Sequence, residues 1–278
     1  MMNTRNETRF DRHRRAGRLF AVLATVLALT CVFGGEREQA AGAQDATQHP
    51  VLLELFTSEG CSSCPPTDEW LQRVDASQPI PGVQVIVLSE HVDYWDHDGW
   101  KDPYSSELLT ARQREYVDGL HLRDVYTPQL ILDGSSELLL NDVQKTTKAL
   151  EDAAATPGVS VRIDSVKVAA GNPHVLEGRI EVDPRSQGHG GDVYVATAID
   201  HVTTKVLSGE NGGHELTNVA VVEDLVKIGK LEKGKSFAQD FQVKLKPGSD
   251  PANLRVVAFV QEPHLGTVLG AAMEKNIR

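Results

Sequence analysis

Cysteine is scarce in this chain: three occur among 278 residues, Cys31, Cys61 and Cys64. A scaffold stapled by disulfides needs more of them, spaced farther apart. A bridge between Cys61 and Cys64 closes too small a loop to stabilise much through chain entropy, so chemistry explains that pair better than stapling. A structural zinc site would need two further ligands, and no second Cys-x-x-Cys supplies them. The apolar run Leu19–Phe33 is 15 residues long, short of the ~20 that cross a bilayer. No repeat of fixed period is present. With 40% hydrophobic and 24% charged residues, the composition excludes both disorder and collagen-like repetition.

The N-terminus has its own logic. Arg5, Arg9, Arg12, Arg14, Arg15 and Arg18 form a basic head, the apolar run follows, and small residues lead to Ala41-Gly42-Ala43. That order predicts a secretory signal over residues 1–43 and a bacterial periplasmic or secreted location. Alternatives are a retained membrane anchor, a lipid-modified Cys31, for which Leu29-Thr30 is a poor lipobox, and twin-arginine export at Arg14-Arg15, which Ala16-Gly17 fits badly. Removing the signal takes away seven arginines and four acidic residues. What remains has 21 basic and 35 acidic residues, a net charge of −14. A chain this acidic is repelled by nucleic acid and by anionic membranes. No nucleic-acid partner is expected, and no membrane contact beyond the export signal.

The rest divides by periodicity. Val51–Thr57 is a continuous apolar run suited to a central strand covered on both faces. Cys61 to Ser77 reads as a helix with Pro65 and Pro66 in its first turn, and Val83–Glu90 as a second buried strand. A polar-aromatic loop, His91–Trp100, leads to a helix from Ser105 to Leu120, capped by Ser105 or Ser106, with Leu108, Leu109, Tyr116 and Leu120 on its apolar side. Asp133-Gly134 marks a hairpin between Leu130–Leu132 and Glu137–Leu140. Asn141 then caps a helix through Ala155. This β-α-β-α-β-β-α order is that of a thioredoxin-like domain, placed at residues 44–156. Beyond Thr156-Pro157-Gly158 the pattern becomes alternating strands, at Val159–Asp164, Leu176–Val182, Val193–Ile199, Phe237–Leu245 and Leu254–Gln261; Val219–Ile228 suits a strand or a short helix. Residues 157–278 read as a β-sandwich-like domain. The expected fold class is therefore α/β plus all-β.

The cysteine pair carries the chemistry. Where a strand gives way to a helix start, orphan N–H groups and the helix dipole favour a thiolate at Cys61. Exposed there, Cys61 attacks a substrate disulfide and Cys64, one turn on, resolves the mixed disulfide. Ser62 and Ser63 tune the thiolate. Thr127-Pro128, just before a buried strand, matches the cis proline that packs beside the cysteines in thioredoxin-like folds and presents backbone to substrate. Glu54 interrupts an apolar strand seven residues before Cys61. It reads as a buried proton relay to Cys64 or as a carboxylate solvated at a sheet edge or paired with Lys or Arg. His91 opens a loop at the C-terminal end of a strand. With Cys61 and Cys64 it would make a Cys2His copper site; otherwise it belongs to a surface loop pinned by aromatic residues. His121, His174, His189, His201, His214 and His264 lack ligand-like spacing.

The run Leu53–Pro66 (Leu-Glu-Leu-Phe-Thr-Ser-Glu-Gly-Cys-Ser-Ser-Cys-Pro-Pro) resembles the opening of a bacterial secreted thioredoxin-like family catalogued as domain of unknown function 1223. His91–Trp95, Gly99–Pro103, Arg112-Gln113, Val125–Gln129, Gly209–Asn211 and Leu269–Ala272 resemble it too, so the likeness spans nearly all of the mature chain. The resemblance implies a thioredoxin-like fold and thiol-disulfide chemistry. Gly60 stands where thioredoxin itself carries tryptophan.

The expected function is an exported thiol-disulfide oxidoreductase acting on protein or small-thiol substrates with an unidentified redox partner. Cys61 is its nucleophile, Cys64 resolves, Pro128 shapes the groove and Glu54 relays a proton. It needs no cofactor beyond the Cys61–Cys64 disulfide. The alternatives are a copper-binding or metallochaperone module using Cys61, Cys64 and His91, and a non-enzymatic binding protein.

Overall fold

Every residue of β1 (Val51–Thr57) is buried, as a strand with both faces covered requires. The computed structural model describes residues 49–183, 190–275 and 277; the residues of the expected signal, Cys31 among them, lie outside these. β1 pairs parallel with β2 (Val85–His91) and antiparallel with β3 (Gln129–Leu132). A short β4 (Ser136–Glu137) follows β3 through Asp133-Gly134, whose φ values of 45° and 60° are the left-handed pair that a tight hairpin demands.

Strand alternation assigns the helices. Leu53 and Leu55 share a cluster with Leu71 and Val74 of α1 (Pro65–Ser77) and Leu150 and Ala154 of α3 (Val143–Ala155). Leu52, Ile86 and Leu88 point the other way and pack with Leu109 of α2 (Glu107–Gly119). Several expected boundaries shift. α1 starts at Pro65 with Cys64 as its cap, because Cys61 lies in a preceding turn, its N–H bonded to the Ser58 carbonyl. α3 is capped by Asp142, not Asn141; the Asp142 carboxylate accepts from the Gln144 and Lys145 N–H groups and so satisfies two orphan donors. Leu108, assigned to the apolar side of α2, is 52% exposed.

The second half supplies β5 (Val161–Val168), β6 (Val175–Val182), β7 (Gly191–Lys205), β8 (Glu215–Leu231), β9 (Phe237–Lys244), β10 (Leu254–Gln261) and β11 (Val268–Lys275). Val219–Ile228 is strand, inside β8. One eight-stranded mixed sheet, in the order β11-β10-β7-β8-β2-β1-β3-β4, runs across the position 156/157 where periodicity changes. The join is Ser89 of β2 opposite Val221 of β8, with Ser89 Oγ donating to the Val219 carbonyl at 2.7 Å. Arg255 of β10, fully buried, adds a bidentate pair to Asp75 of α1, both bonds 2.9 Å. The antiparallel sheet β5-β6-β9 packs its apolar residues against β7, β10 and β11. Among the described residues no helix is long and apolar enough to cross a membrane.

Candidate functional site

The turn after β1 places the cysteines. Cys61 and Cys64 form a disulfide with Cα atoms 5.5 Å apart. Cys61 Sγ lies 3.8 Å from the Thr127 carbonyl oxygen and 3.4 Å from Ser63 Oγ. The Thr127-Pro128 bond is cis; through the Thr127 carbonyl its segment lies beside Cys61, so Cys61, Cys64 and the Pro128 segment, of the four residues singled out for catalysis, lie together.

Cys61 is not exposed, contrary to expectation. Both cysteines are fully buried, and only Ser62 and Ser63 between them reach solvent. The cover has identifiable parts. Trp95 packs on Gly60, where an added Cβ would sit 3.0 Å from the Trp95 Cβ; its indole N–H donates to Thr127 Oγ1 at 2.7 Å. Glycine stands at position 60 because Trp95 occupies the space a side chain would need.

Glu54 is fully buried and takes no part in this cluster. Its carboxylate accepts from Arg112 Nε (2.7 Å) and from the Tyr116 hydroxyl (2.5 Å), the pairing with arginine left open above. Glu90 shares the same Arg112 at 3.5 Å. Burial, with the neighbouring Glu54 charge, pushes the Glu90 carboxyl well above the carboxylate range.

A second buried acid is Asp68, one helical turn after Cys64, its N–H bonded to the Cys64 carbonyl. Thr57 Oγ1 donates to Asp68 Oδ1 at 2.8 Å. Burial pushes the Asp68 carboxyl up to about 7, against the pull of His91 and the Thr57 hydroxyl. His91 is fully buried at the end of β2, with Nδ1 2.7 Å from Asp102 Oδ2 and Nε2 without a partner among the described residues. Burial alone would depress the imidazole, but the Asp102 carboxylate outweighs it and holds His91 above its ordinary value. Burial likewise favours neutral Asp102; His91 and the Glu59 and Tyr104 N–H donors outweigh it and hold that carboxyl low. Glu59, whose Oε2 accepts from the Trp100 indole at 3.0 Å, is raised by burial and by the Asp102 charge.

His91 thus engages Asp102 through Nδ1 and keeps Nε2 unpartnered among the described residues. Among the described residues no group of three or more His, Cys, Asp or Glu is placed to share a metal ion. Reading the sequence missed Asp68, Asp102 and Glu59. An acid in the first turn of a helix reads as ordinary dipole compensation, and only the packing of α1 on β1 turns Asp68 inward.

The crystal structure of a protein from Agrobacterium tumefaciens is similar, at 28% identity over 81% of this chain and 94% of that one, with a TM-score of 0.61. Spo0M, a sporulation control protein from Bacillus subtilis, overlaps 43% of this chain and 49% of its own at 12% identity and a TM-score of 0.29, too low to carry an argument. No curated protein matches the chain. The model of the family described as "Protein of unknown function (DUF1223)" matches residues 52–261, and the chain belongs to that family.

Proposed function

We propose that this protein is an exported thiol-disulfide oxidoreductase, with a thioredoxin-like half that carries the cysteines and a β-sandwich-like half that supports them. One observation carries the reading: the Cys61–Cys64 pair sits at a strand-to-helix turn against the Thr127 carbonyl that precedes Pro128, with the buried acid Asp68 one helical turn further on. A pair kept only for stability would gain little from so short a loop, and has no use for an acid that titrates near neutrality.

In the dithiol form, the Cys61 thiolate attacks one sulfur of a substrate disulfide and expels the other as a thiolate. Cys64 then attacks Cys61 Sγ, releasing the second substrate sulfur and closing the Cys61–Cys64 bond. Two electrons pass to the substrate, and the two departing thiolates take up the protons. Asp68 is the group suited to hold the Cys64 proton, since a carboxyl titrating near 7 both accepts and returns it. The relay assigned to Glu54 from the sequence passes to Asp68 in this reading. The sulfurs are covered, so exchange proceeds when the segment around Trp95 and Thr127 yields, with Ser62 and Ser63 marking the approach. The basic head and apolar run of residues 1–43 support export.

The test is redox titration. The protein is equilibrated in graded glutathione and dithiothreitol buffers, and free thiols are trapped by alkylation. Reversible two-electron interconversion with one midpoint is expected. Cysteines that never interconvert in either series would overturn the proposal.

A further inference from the structure

The tip of the β7–β8 hairpin, residues 206–214, comes from the half of the chain without cysteine, yet it holds the cysteine turn. Asn211 Nδ2 donates to the carbonyls of Glu59 (2.8 Å) and Cys61 (3.0 Å). Glu210 Oε2 accepts from the Ser62 N–H at 3.2 Å. The tip is anchored in turn, with Ser208 Oγ donating to the Gly99 carbonyl and Gly209 packed against Gly99 and Trp100.

A thiolate at Cys61 needs donors, and beyond the Ser63 hydroxyl, 3.4 Å from Cys61 Sγ, most of the nearby N–H groups are spent elsewhere. Pro65 and Pro66 have no N–H to offer. The Cys64 N–H is turned to the Cys61 carbonyl, and those of Thr67 and Asp68 to the Cys64 carbonyl. The Ser62 N–H is occupied by the Glu210 carboxylate, and Cys61 Sγ itself faces the Thr127 carbonyl oxygen. The titratable groups packed about the turn are Glu59, Asp68, Asp102 and Glu210, with His91 as the one base. Burial and like charge both oppose ionisation of a thiol. Strongly oxidising pairs have the reverse arrangement, donors and cations that stabilise the thiolate and with it the reduced form.

We propose that Glu210, held on the Ser62 N–H by the β7–β8 tip, keeps Cys61 a weakly acidic thiol and poises the pair to reduce disulfides rather than to oxidise thiols. The proposal rests on the exchange chemistry above and gives it a direction. In that direction the dithiol and a substrate disulfide become the Cys61–Cys64 disulfide and two substrate thiols. A dithiol reductant then restores the pair, becoming a disulfide itself as two electrons and two protons pass back.

Glu210→Gln isolates the charge, because its amide oxygen still accepts from the Ser62 N–H. Two quantities are read on oxidised and reduced full-length protein: the pH dependence of Cys61 alkylation, and the equilibrium constant for reduction by dithiothreitol. Glu210 is exposed and screened, so about a two- to five-fold rise in thiolate fraction at pH 7 is expected, while the equilibrium shift toward the dithiol should be slight at pH 7 and approach about two- to five-fold only as pH rises past the thiol's own titration. Glu210→Asp, which keeps the charge, should stay near wild type. Reduced wild-type protein should convert glutathione disulfide to glutathione. A normal wild-type couple that Glu210→Gln leaves unmoved, or moves the other way, overturns the role of Glu210. A wild-type disulfide that readily oxidises glutathione overturns the direction. Cysteines inert to every thiol and disulfide overturn the exchange reading, and this inference falls with it.

Discussion

Asp68→Asn should change how stability depends on pH more than it changes stability at any one pH. The carboxyl titrates at its ordinary 3.8 in the unfolded chain and at about 7 when folded, chiefly through burial. The folded state therefore holds this proton more tightly than the unfolded one. Its contribution to stability is complete below pH 3.8 and is lost as pH rises through 7. At about 1.4 kcal/mol for each tenfold change in proton affinity, the loss amounts to about 4 kcal/mol. Asparagine keeps an oxygen to accept from the Thr57 hydroxyl and never ionises. The variant should lie within about 1 kcal/mol of wild type at pH 4, a single hydrogen bond's worth, and exceed it by about 3–4 kcal/mol at pH 8. His91 and Asp102 titrate in both proteins, so the difference between them isolates Asp68. Urea unfolding of the oxidised protein at pH 4, 6 and 8 measures it. Parallel stability–pH curves for wild type and variant would refute the placement of a protonated acid there. On the functional side, the same variant should flatten the pH dependence of disulfide exchange near neutrality.

Two further substitutions probe the frame around the site. Arg112→Met leaves Glu54 buried without its cation and should cost about 3–5 kcal/mol in urea unfolding at pH 7. Gly60→Ala drives a Cβ to 3.0 Å from Trp95 Cβ and should cost about 1–3 kcal/mol. Because Trp95 also holds Thr127, that variant should shift tryptophan fluorescence and speed reduction of the disulfide by dithiothreitol. An unchanged reduction rate would show that Trp95 does not cover the sulfurs in solution.

Local features of the sequence were sufficient where the physics is local. The unbroken apolar run of β1, the Pro-Pro start of α1 and the Asp-Gly turn each specify backbone conformation within a few residues. β11 was not announced, because Val268–Lys275 is small-residue rich and lacks alternation. The join between β2 and β8 was also hidden. Ser89 meets Val221 across 132 positions of chain, and nothing near either residue signals the other. The burial of Cys61 is of the same kind, for the groups that cover it come from residues 95, 127 and 211.

The placement of Glu54 shows how near the sequence came and where it failed. Side chains along a strand alternate between faces, so Leu53 and Leu55 point one way and Glu54 the other. α1 packs on the Leu53–Leu55 face, and Cys64 begins α1. Glu54 is then on the wrong side of the sheet to serve Cys64, and it meets Arg112 of α2 instead. Thr57, odd-numbered like Leu53 and Leu55, shares the face toward α1, and its hydroxyl finds Asp68. Parity within β1 separates the two acids completely once the face carrying α1 is known. Spacing from Cys61 alone does not, because it counts residues along the chain without saying which side of the sheet they occupy.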